Sequence, residues 1–283
     1  MSSIQAAASA MPLARSERSW RYAGSVCAWA GYLFLVLPSL IVIPISFNGT
    51  QELQFPPHQL SLHLYRDFFS ERSWWHAAVQ SLIVASLTSV LALSIALPAA
   101  YALARNLSRL ARAAQVVLLA PMLVPVIVLG LGLYIQLTHL RLTDTTAGIV
   151  FSHAVVVVPY AFVTLTAGLR QSDPALETVA LLMGASRLRI LRMVVLPQIR
   201  GAIIVACLFA FLLSFDEVVI AYFVTGPTTQ TLPVKMYSAI RWQISPVIAA
   251  VATLLSLLSL GVCGLYFVLQ KDSGAARRRS SDS

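Results

Sequence analysis

Long apolar runs, separated by short clusters rich in arginine, organise this sequence from end to end. A helix that crosses a bilayer needs about 20 mostly apolar residues. Six stretches reach that length, at roughly 23–47, 76–104, 112–137, 146–169, 200–224 and 244–269. The expected fold class is therefore all-α, a polytopic membrane protein whose six transmembrane helices occupy residues 23–270. A segment over 1–22 precedes them, and a small, polar, basic tail over 271–283 has the composition of a disordered end. Pro98, Pro121, Pro125, Gly130, Gly132 and Pro159 fall inside the apolar runs and predict kinks and close helix packing. Between the first two runs, residues 48–75 carry Pro56, Pro57 and a short amphipathic segment ending at Trp74 and Trp75, a pair expected to anchor at the membrane interface.

The basic residues orient the spans, because loops on the cytoplasmic side retain lysine and arginine. Fifteen of the 20 fall on one side: Arg15, Arg18 and Arg21; Arg105, Arg109 and Arg112; the five arginines from Arg170 to Arg200; and the four basic residues of the tail. Only Arg66, Arg72, Arg141, Lys235 and Arg241 fall on the other. Both termini are expected to be cytoplasmic, and the first apolar run reads as a retained helix rather than a cleaved leader.

Composition sharpens this by exclusion. With 58% hydrophobic and 11% charged residues, the chain does not read as a soluble globule. The net charge of +9 does not point to nucleic acid, since the basic residues sit at span ends and not on one soluble face interleaved with aromatics. Cys27, Cys207 and Cys263 lie in apolar segments without metal-ligand spacing, and the five histidines are scattered. No nucleophile-base pairing or metal cluster appears in the loops, so neither an enzyme nor a metal centre is expected.

The loop RQSDPALETVALLMGASRLRILRMVVLPQIRG, residues 170–201, has chemistry of its own. Ser172-Asp173-Pro174 supplies a cap and a helix-compatible proline, Gly184 a stop, and a second short helix carrying Arg187, Arg189 and Arg192 leads to Pro197. Two short helices about a glycine make a compact knob, either a docking element for a soluble partner or an amphipathic loop lying on anionic headgroups.

This segment resembles the EAA loop of the permeases of ABC importers, whose pattern is Glu-Ala-Ala, three residues, Gly, nine residues, then Ile-x-Leu-Pro. Counted from Gly184, the chain supplies Thr178-Val179-Ala180 for the first triplet, with Glu177 one position ahead of the family's glutamate, and Val194-Val195-Leu196-Pro197 for the last. The resemblance covers roughly residues 25–270 and implies a type I importer permease fold. It also implies that Glu177, Ala180, Gly184, Ala185, Leu196 and Pro197 belong to a coupling helix seated on an ATPase subunit. The chain has no Gly-x-x-x-x-Gly-Lys-Ser/Thr loop. ATP and magnesium would therefore belong to a separate polypeptide, and this chain would carry no cofactor.

Inside the fifth run, LLSFDEVVIAYFV places two adjacent carboxylates in hydrocarbon. An aspartate at a helix centre costs about 2.5–3.5 kcal/mol on the insertion scale, and of the 11 acids only Asp216 and Glu217 fall within a span. Read as one helix, the run puts Glu217 on a stripe of small residues, Ala202, Ala206, Ala210, Ser214, Ala221 and Thr225, suited to close packing. Asp216 falls instead among Phe209, Leu213, Ile220 and Phe223. At least one acid is expected to line a polar path and meet a cationic solute, with Phe209 and Phe223 adding cation-π attraction. The bland alternative is a hydrogen bond across a helix interface. Residues 214–250 are similar to spermidine/putrescine permeases, which pair an acidic span motif with a Thr/Ser-Gly-Pro loop and a Leu-Pro-x-Lys-like element, here Thr225-Gly226-Pro227 and Leu232-Pro233-Val234-Lys235.

That resemblance implies one permease subunit of a polyamine importer in a bacterial inner membrane. Its partners would be two ATPase copies, a second related permease chain, an external binding protein and membrane lipid. Within the class, an opine, an amino-acid derivative, a phosphonate or ferric ion is the alternative cargo. Outside it, a secondary transporter in which Asp216 or Glu217 carries protons remains open.

Overall fold

The computed structural model describes residues 15–50, 53–105, 108–243 and 245–261. Among them every extended element is helical, and the one β pairing is a single bridge between Asn48 and Leu60. The predicted tail and the end of the sixth run lie outside the described residues. The chain divides into two compact units, Phe69–Ile244 and, around it in sequence, the stretches Met1–Phe68 and Ser245–Ser283.

The outer unit contains α1 (Arg15–Ile45), α2 (His63–Ser70, whose last two residues belong to the other unit) and α12 (Val247–Gly261). The part of α1 from Gly24 to Ile45 is long and apolar enough to cross a membrane, and it presents Trp29, Phe34 and Leu35 outward. Past α1 the chain folds back on itself. The Ser46 hydroxyl donates to the Ile43 carbonyl (2.6 Å) and meets the Tyr65 hydroxyl (2.6 Å), and backbone bonds join Gly49 to Gln59 and Ser61 to Phe47, each at 2.7 Å.

The inner unit is built on three long helices, α3 (Arg72–Ala104), α6 (Thr146–Gln171) and α9 (Arg200–Phe215). Small residues let them approach. Ala92, Ala96 and Ala100 of α3 and Ala206 and Ala210 of α9 are buried against Val157, Ala161, Phe162, Leu165 and Leu169 of α6. Where α6 crosses α9, a Cβ at Gly168 would collide with Ala202, the close approach that small-residue packing permits between membrane helices.

Two predicted spans are not continuous helices. Three helices are long and apolar enough to cross alone, and two bent pairs, Arg109–Leu123 with Val126–His139 and Arg187–Gln198 with Arg200–Phe215, bring the number up to five among the described residues, in which the sixth run is followed only to Gly261. The run at 112–137 divides into α4 (Arg109–Leu119), a 3₁₀ turn at Ala120–Leu123 and α5 (Val126–His139), bent by 104°. Pro121 and Pro125 flank the break, where each removes a backbone donor. By contrast, Pro98 and Pro159 are carried inside α3 and α6. The run at 200–224 ends as a helix at Phe215 and resumes as α10 (Val219–Val224), so Asp216, Glu217 and Val218 are the break itself. α10 packs on α5 and α6.

Candidate transport site and coupling knob

At the break in the fifth run, Asp216 takes φ −91° and ψ 0° and its N–H donates to the Leu212 carbonyl at 3.0 Å, closing α9. Its side chain is exposed and makes no hydrogen bond within the described residues. Glu217 is half-buried, and its Oε1 accepts the N–H of Ile220 at 2.9 Å. A helix start leaves backbone donors without intrahelical partners, and Glu217 satisfies one of them for α10. The expected small-residue stripe holds along α9, where Ala206, Ala210 and Ser214 are buried; Ala221 is buried too, but on α10 beyond the break. Glu217 does not continue it, because the helix that would carry it there has ended. Nor are the two aromatics together in one wall: Phe209 lies on the exposed face of α9, whereas the Phe223 ring packs where a Cβ on Gly130 of α5 would stand.

Irregular backbone at membrane depth survives only where protein buries it or water reaches it. A break that leaves one carboxylate unpaired therefore belongs beside water or a partner surface, and the cost argument for the acids becomes an argument about access.

Just below this break a buried polar pair links two core helices, His153 Nδ1 on α6 to Ser214 Oγ on α9 at 2.9 Å. Beyond α10, residues 225–231 are braced by a residue that the hydropathy pattern does not single out. Asp144, in the turn between α5 and α6, takes a left-handed φ of 53°. Its Oδ1 accepts the N–H of Gly226 (3.0 Å), the N–H of Thr229 (3.1 Å) and the Thr229 hydroxyl (2.6 Å), while its own N–H donates to the Val224 carbonyl (3.0 Å). Burial alone raises the Asp144 carboxyl pKa. Hydrogen bonds from Thr229, Thr228 and Gly226 outweigh it and hold the group below its ordinary value. With the folded pKa below the unfolded one, this brace stabilises fully above the ordinary carboxylate range and is lost as pH falls through the folded value. A Cβ at Gly226 would run into the Asp144 carboxyl, which explains the glycine of the Thr-Gly-Pro element. Gly226→Ala is expected to destabilise the purified protein by about 1–3 kcal/mol, the range for overpacking, read as a lower thermal midpoint.

The Leu-Pro-Val-Lys element begins α11 (Leu232–Ser238), and the Leu232 N–H donates to Ser81 Oγ of α3 at 2.8 Å. Lys235 Nζ donates to Ser73 Oγ (2.7 Å), lies 4.8 Å from the centroid of the Trp74 ring and 3.9 Å from Glu71. Burial lowers the Lys235 pKa against the opposing pull of Glu71. Trp74, expected at the membrane interface, is 3% exposed and serves this lysine; Trp75 is exposed and tilts against Phe69. Carboxylate, aromatic face and hydroxyl thus fix α11 to the start of α3.

At the other end of the core helices, the loop 170–201 forms the knob that its sequence predicts. Asp173 Oδ1 accepts the Ala175 N–H (2.9 Å) and Pro174 opens α7 (Pro174–Leu182). The helix closes in a Schellman motif, with Gly184 N–H to the Leu181 carbonyl (2.9 Å) and Ala185 N–H to the Ala180 carbonyl (3.0 Å), around Gly184 at φ 82°. Ser186 caps α8 (Arg187–Ile190), which continues as a π-helical turn over Leu191–Val195 and a last turn, Leu196–Gln198.

Of the six predicted coupling residues, Ala180 and Ala185 pack on the α3/α6/α9 core, Leu196 is half-buried and Pro197 is exposed. Glu177 is held within the chain: it pairs with Arg105, whose Nε donates at 3.1 Å, and accepts from the Tyr101 hydroxyl at 3.1 Å. Arg105 Nη2 also donates to Ser172 Oγ at 3.1 Å. The most exposed apolar side chains of the knob lie elsewhere. Leu182 and Met183, at the tip, are each 83% exposed, with Leu188 and Met193 exposed behind them.

Against known proteins, residues 92–272 match the family model of the binding-protein-dependent transport system inner membrane component. The chain belongs to this family. This permease is 31% identical to the putrescine transport system permease protein PotI of Escherichia coli K12 over 262 residues, 90% of each chain. It is 33% identical to the spermidine/putrescine transport system permease protein PotC of the same strain over 233 residues, 81% of this chain and 86% of that one. Its fold matches a chain in the crystal structure of a bacterial ABC transporter involved in the import of the acidic polysaccharide alginate, with a TM-score of 0.72 at 17% identity, over 92% of this chain and 99% of that one. The protein is thus an ABC importer permease of all-α fold, a multi-pass component of the bacterial inner membrane.

Proposed function

We propose that this permease is the subunit of an ATP-driven importer for polyamines, putrescine or spermidine, or for a similar small organic cation. The reading is carried by its relatedness to PotI over nine-tenths of both chains. The unpaired, exposed Asp216 at the broken span supplies chemistry that suits such a cargo. A carboxylate beside a water-reached break offsets the dehydration of a protonated amine, and the exposed ring of Phe209, seven residues back on the same helix face, adds attraction for a cation.

The same reading extends to the rest of the assembly. It has no phosphate loop, so hydrolysis takes place on separate ATPase subunits that seat on the knob at Leu182 and Met183. A second permease chain completes the path, and an external binding protein delivers the cargo. The arginine bias supports an orientation with the knob and both termini in the cytoplasm and the 225–238 element outside.

The test is uptake of labelled putrescine and spermidine in cells whose polyamine import depends on this chain together with its ATPase, partner permease and binding protein. Saturable uptake that stops with an ATPase-dead partner is expected. Uptake that persists without any ATPase would make the chain a secondary transporter, and import of an anionic or neutral solute instead would remove the polyamine assignment.

A further inference from the structure

α4 carries two unlike flanks, and its basic flank is oddly placed. Ser108 caps the helix by accepting the Ala111 N–H at 3.1 Å. Its first turn then holds Arg109 and Arg112 and no acid, although the start of a helix is the positive end of its dipole and favours anions. Arg112 and Gln115 face a pocket of about 200 Å³ that Arg105 at the end of α3 and Thr166 and Arg170 near the end of α6 complete. The one carboxylate bonded to these arginines among the described residues is Glu177 of α7, on Arg105. Arg112 and Arg170 have no carboxylate partner there. The Thr166 hydroxyl is buried with no hydrogen-bond partner, where buried polar groups ordinarily find one.

The opposite flank of α4 is apolar. Leu110, Ala113 and Val117 line a groove of about 640 Å³ with Ile95 of α3 and Phe151 and Pro159 of α6. Arginines gathered where two spans end, on a helix whose other side is greasy, match the headgroup level of a bilayer, where basic pockets between membrane helices take anionic lipid heads.

We propose that Arg105, Arg112, Arg170, Gln115 and Thr166 form a binding site for the phosphate of an anionic phospholipid. Arg112 and Arg170 supply the uncompensated charge, Thr166 and Gln115 donate hydrogen bonds, and an acyl chain of the same lipid follows the apolar flank of α4. The leaflet is the cytoplasmic one on the orientation proposed above; the binding itself does not depend on which solute is carried.

The full-length chain, stripped of lipid in a nonionic detergent, is offered equal amounts of phosphatidylglycerol and phosphatidylcholine, and retained lipid is counted by native mass spectrometry. One phosphatidylglycerol is expected to be kept in preference. At about 1 kcal/mol for each basic residue near the headgroups, R112Q/R170Q weakens retention by about 30-fold. R112K/R170K, which keeps the charge but not the paired donors, falls between that variant and the wild type. T166V, which leaves every charge in place, loses a few-fold, about the worth of one hydrogen bond. R187Q/R189Q, which removes two arginines of the knob, retains phosphatidylglycerol as the wild type does. Equal retention of the two lipids, wild-type retention by R112Q/R170Q, or an equal loss in R187Q/R189Q overturns the site. Full displacement by excess inorganic phosphate would make it a site for the soluble anion and overturn the lipid assignment.

Discussion

Asp216→Asn is expected to lower polyamine uptake by about 10- to 100-fold while leaving the amount of assembled importer unchanged. The magnitude follows from replacing a charged partner by a neutral one, worth about 1.5–3 kcal/mol for a hydrogen bond to a charged group. Assembly is spared because the Asp216 side chain is exposed and supports nothing inside the chain, and its backbone role at the end of α9 is kept by asparagine. Glu217→Gln is the paired comparison. Glutamine Oε1 still accepts the Ile220 N–H, so this change is expected to be mild, whereas Glu217→Leu removes the acceptor and exposes the start of α10 to an unpaired donor. If Asp216→Asn transports as the wild type does and Glu217→Gln does not, the cation is read by Glu217 and the assignment of the two acids is reversed. Wild-type uptake by both single variants and by the double variant removes the acid-lined path.

The difference between these two neighbours was only partly legible beforehand. Hydropathy and the insertion cost single out Asp216 and Glu217 as anomalies, and helical periodicity finds the stripe of Ala206, Ala210 and Ser214 on which α9 packs. Periodicity, however, assumes that the helix continues. Nothing in the apolar composition of residues 212–224 marks the end of a helix at Phe215, because no proline or glycine stands there. Beyond the stop, α10 packs on α5 and α6, contacts distant in sequence that periodicity does not register. In the third run the signal was present, as Pro121 and Pro125, and announced a kink; a turn of 104° is more than two prolines specify, since it also depends on where α4 rests.

Side-chain pairings far apart in sequence were out of reach for the same reason. Asp144 bonds to Gly226 and Thr229, more than 80 positions away, and Glu177 reaches Arg105 and Tyr101, more than 70 away. A loop acid has no hydropathy signature, so the sequence offers no reason to prefer Asp144 over other polar loop residues. The local chemistry of the knob was readable, since Asp173, Pro174, Gly184 and Ser186 each act on backbone within three residues. Its apolar tip was not, because motif matching pointed to Ala180 and Ala185, which pack inward, and to Gly184 and Pro197, which are exposed, and passed over Leu182 and Met183.

Those two residues carry the second large effect. Leu182→Glu/Met183→Glu is expected to weaken capture of the ATPase subunit by about 100- to 1,000-fold and to abolish ATP-dependent uptake, on the scale of a buried interface anchor lost on docking. Both side chains are exposed in the isolated chain, and apolar groups clustered on one protrusion mark an interaction surface. The permease itself should fold unchanged, because neither side chain packs on the core. The knob is also a stiff lever. Ala180 and Ala185 seat it on α3, α6 and α9, and the Arg105 and Tyr101 bonds to Glu177 fix α7 to the end of α3, an arrangement suited to passing a push on the tip to the spans. Docking and transmission therefore separate experimentally. Glu177→Gln/Arg105→Gln keeps Leu182 and Met183 in place and is expected to retain ATPase capture while lowering uptake per ATP hydrolysed. Leu182→Glu/Met183→Glu loses capture itself. An ATPase that co-purifies equally with the wild type and with the Leu182/Met183 variant would show that docking rests on some other surface.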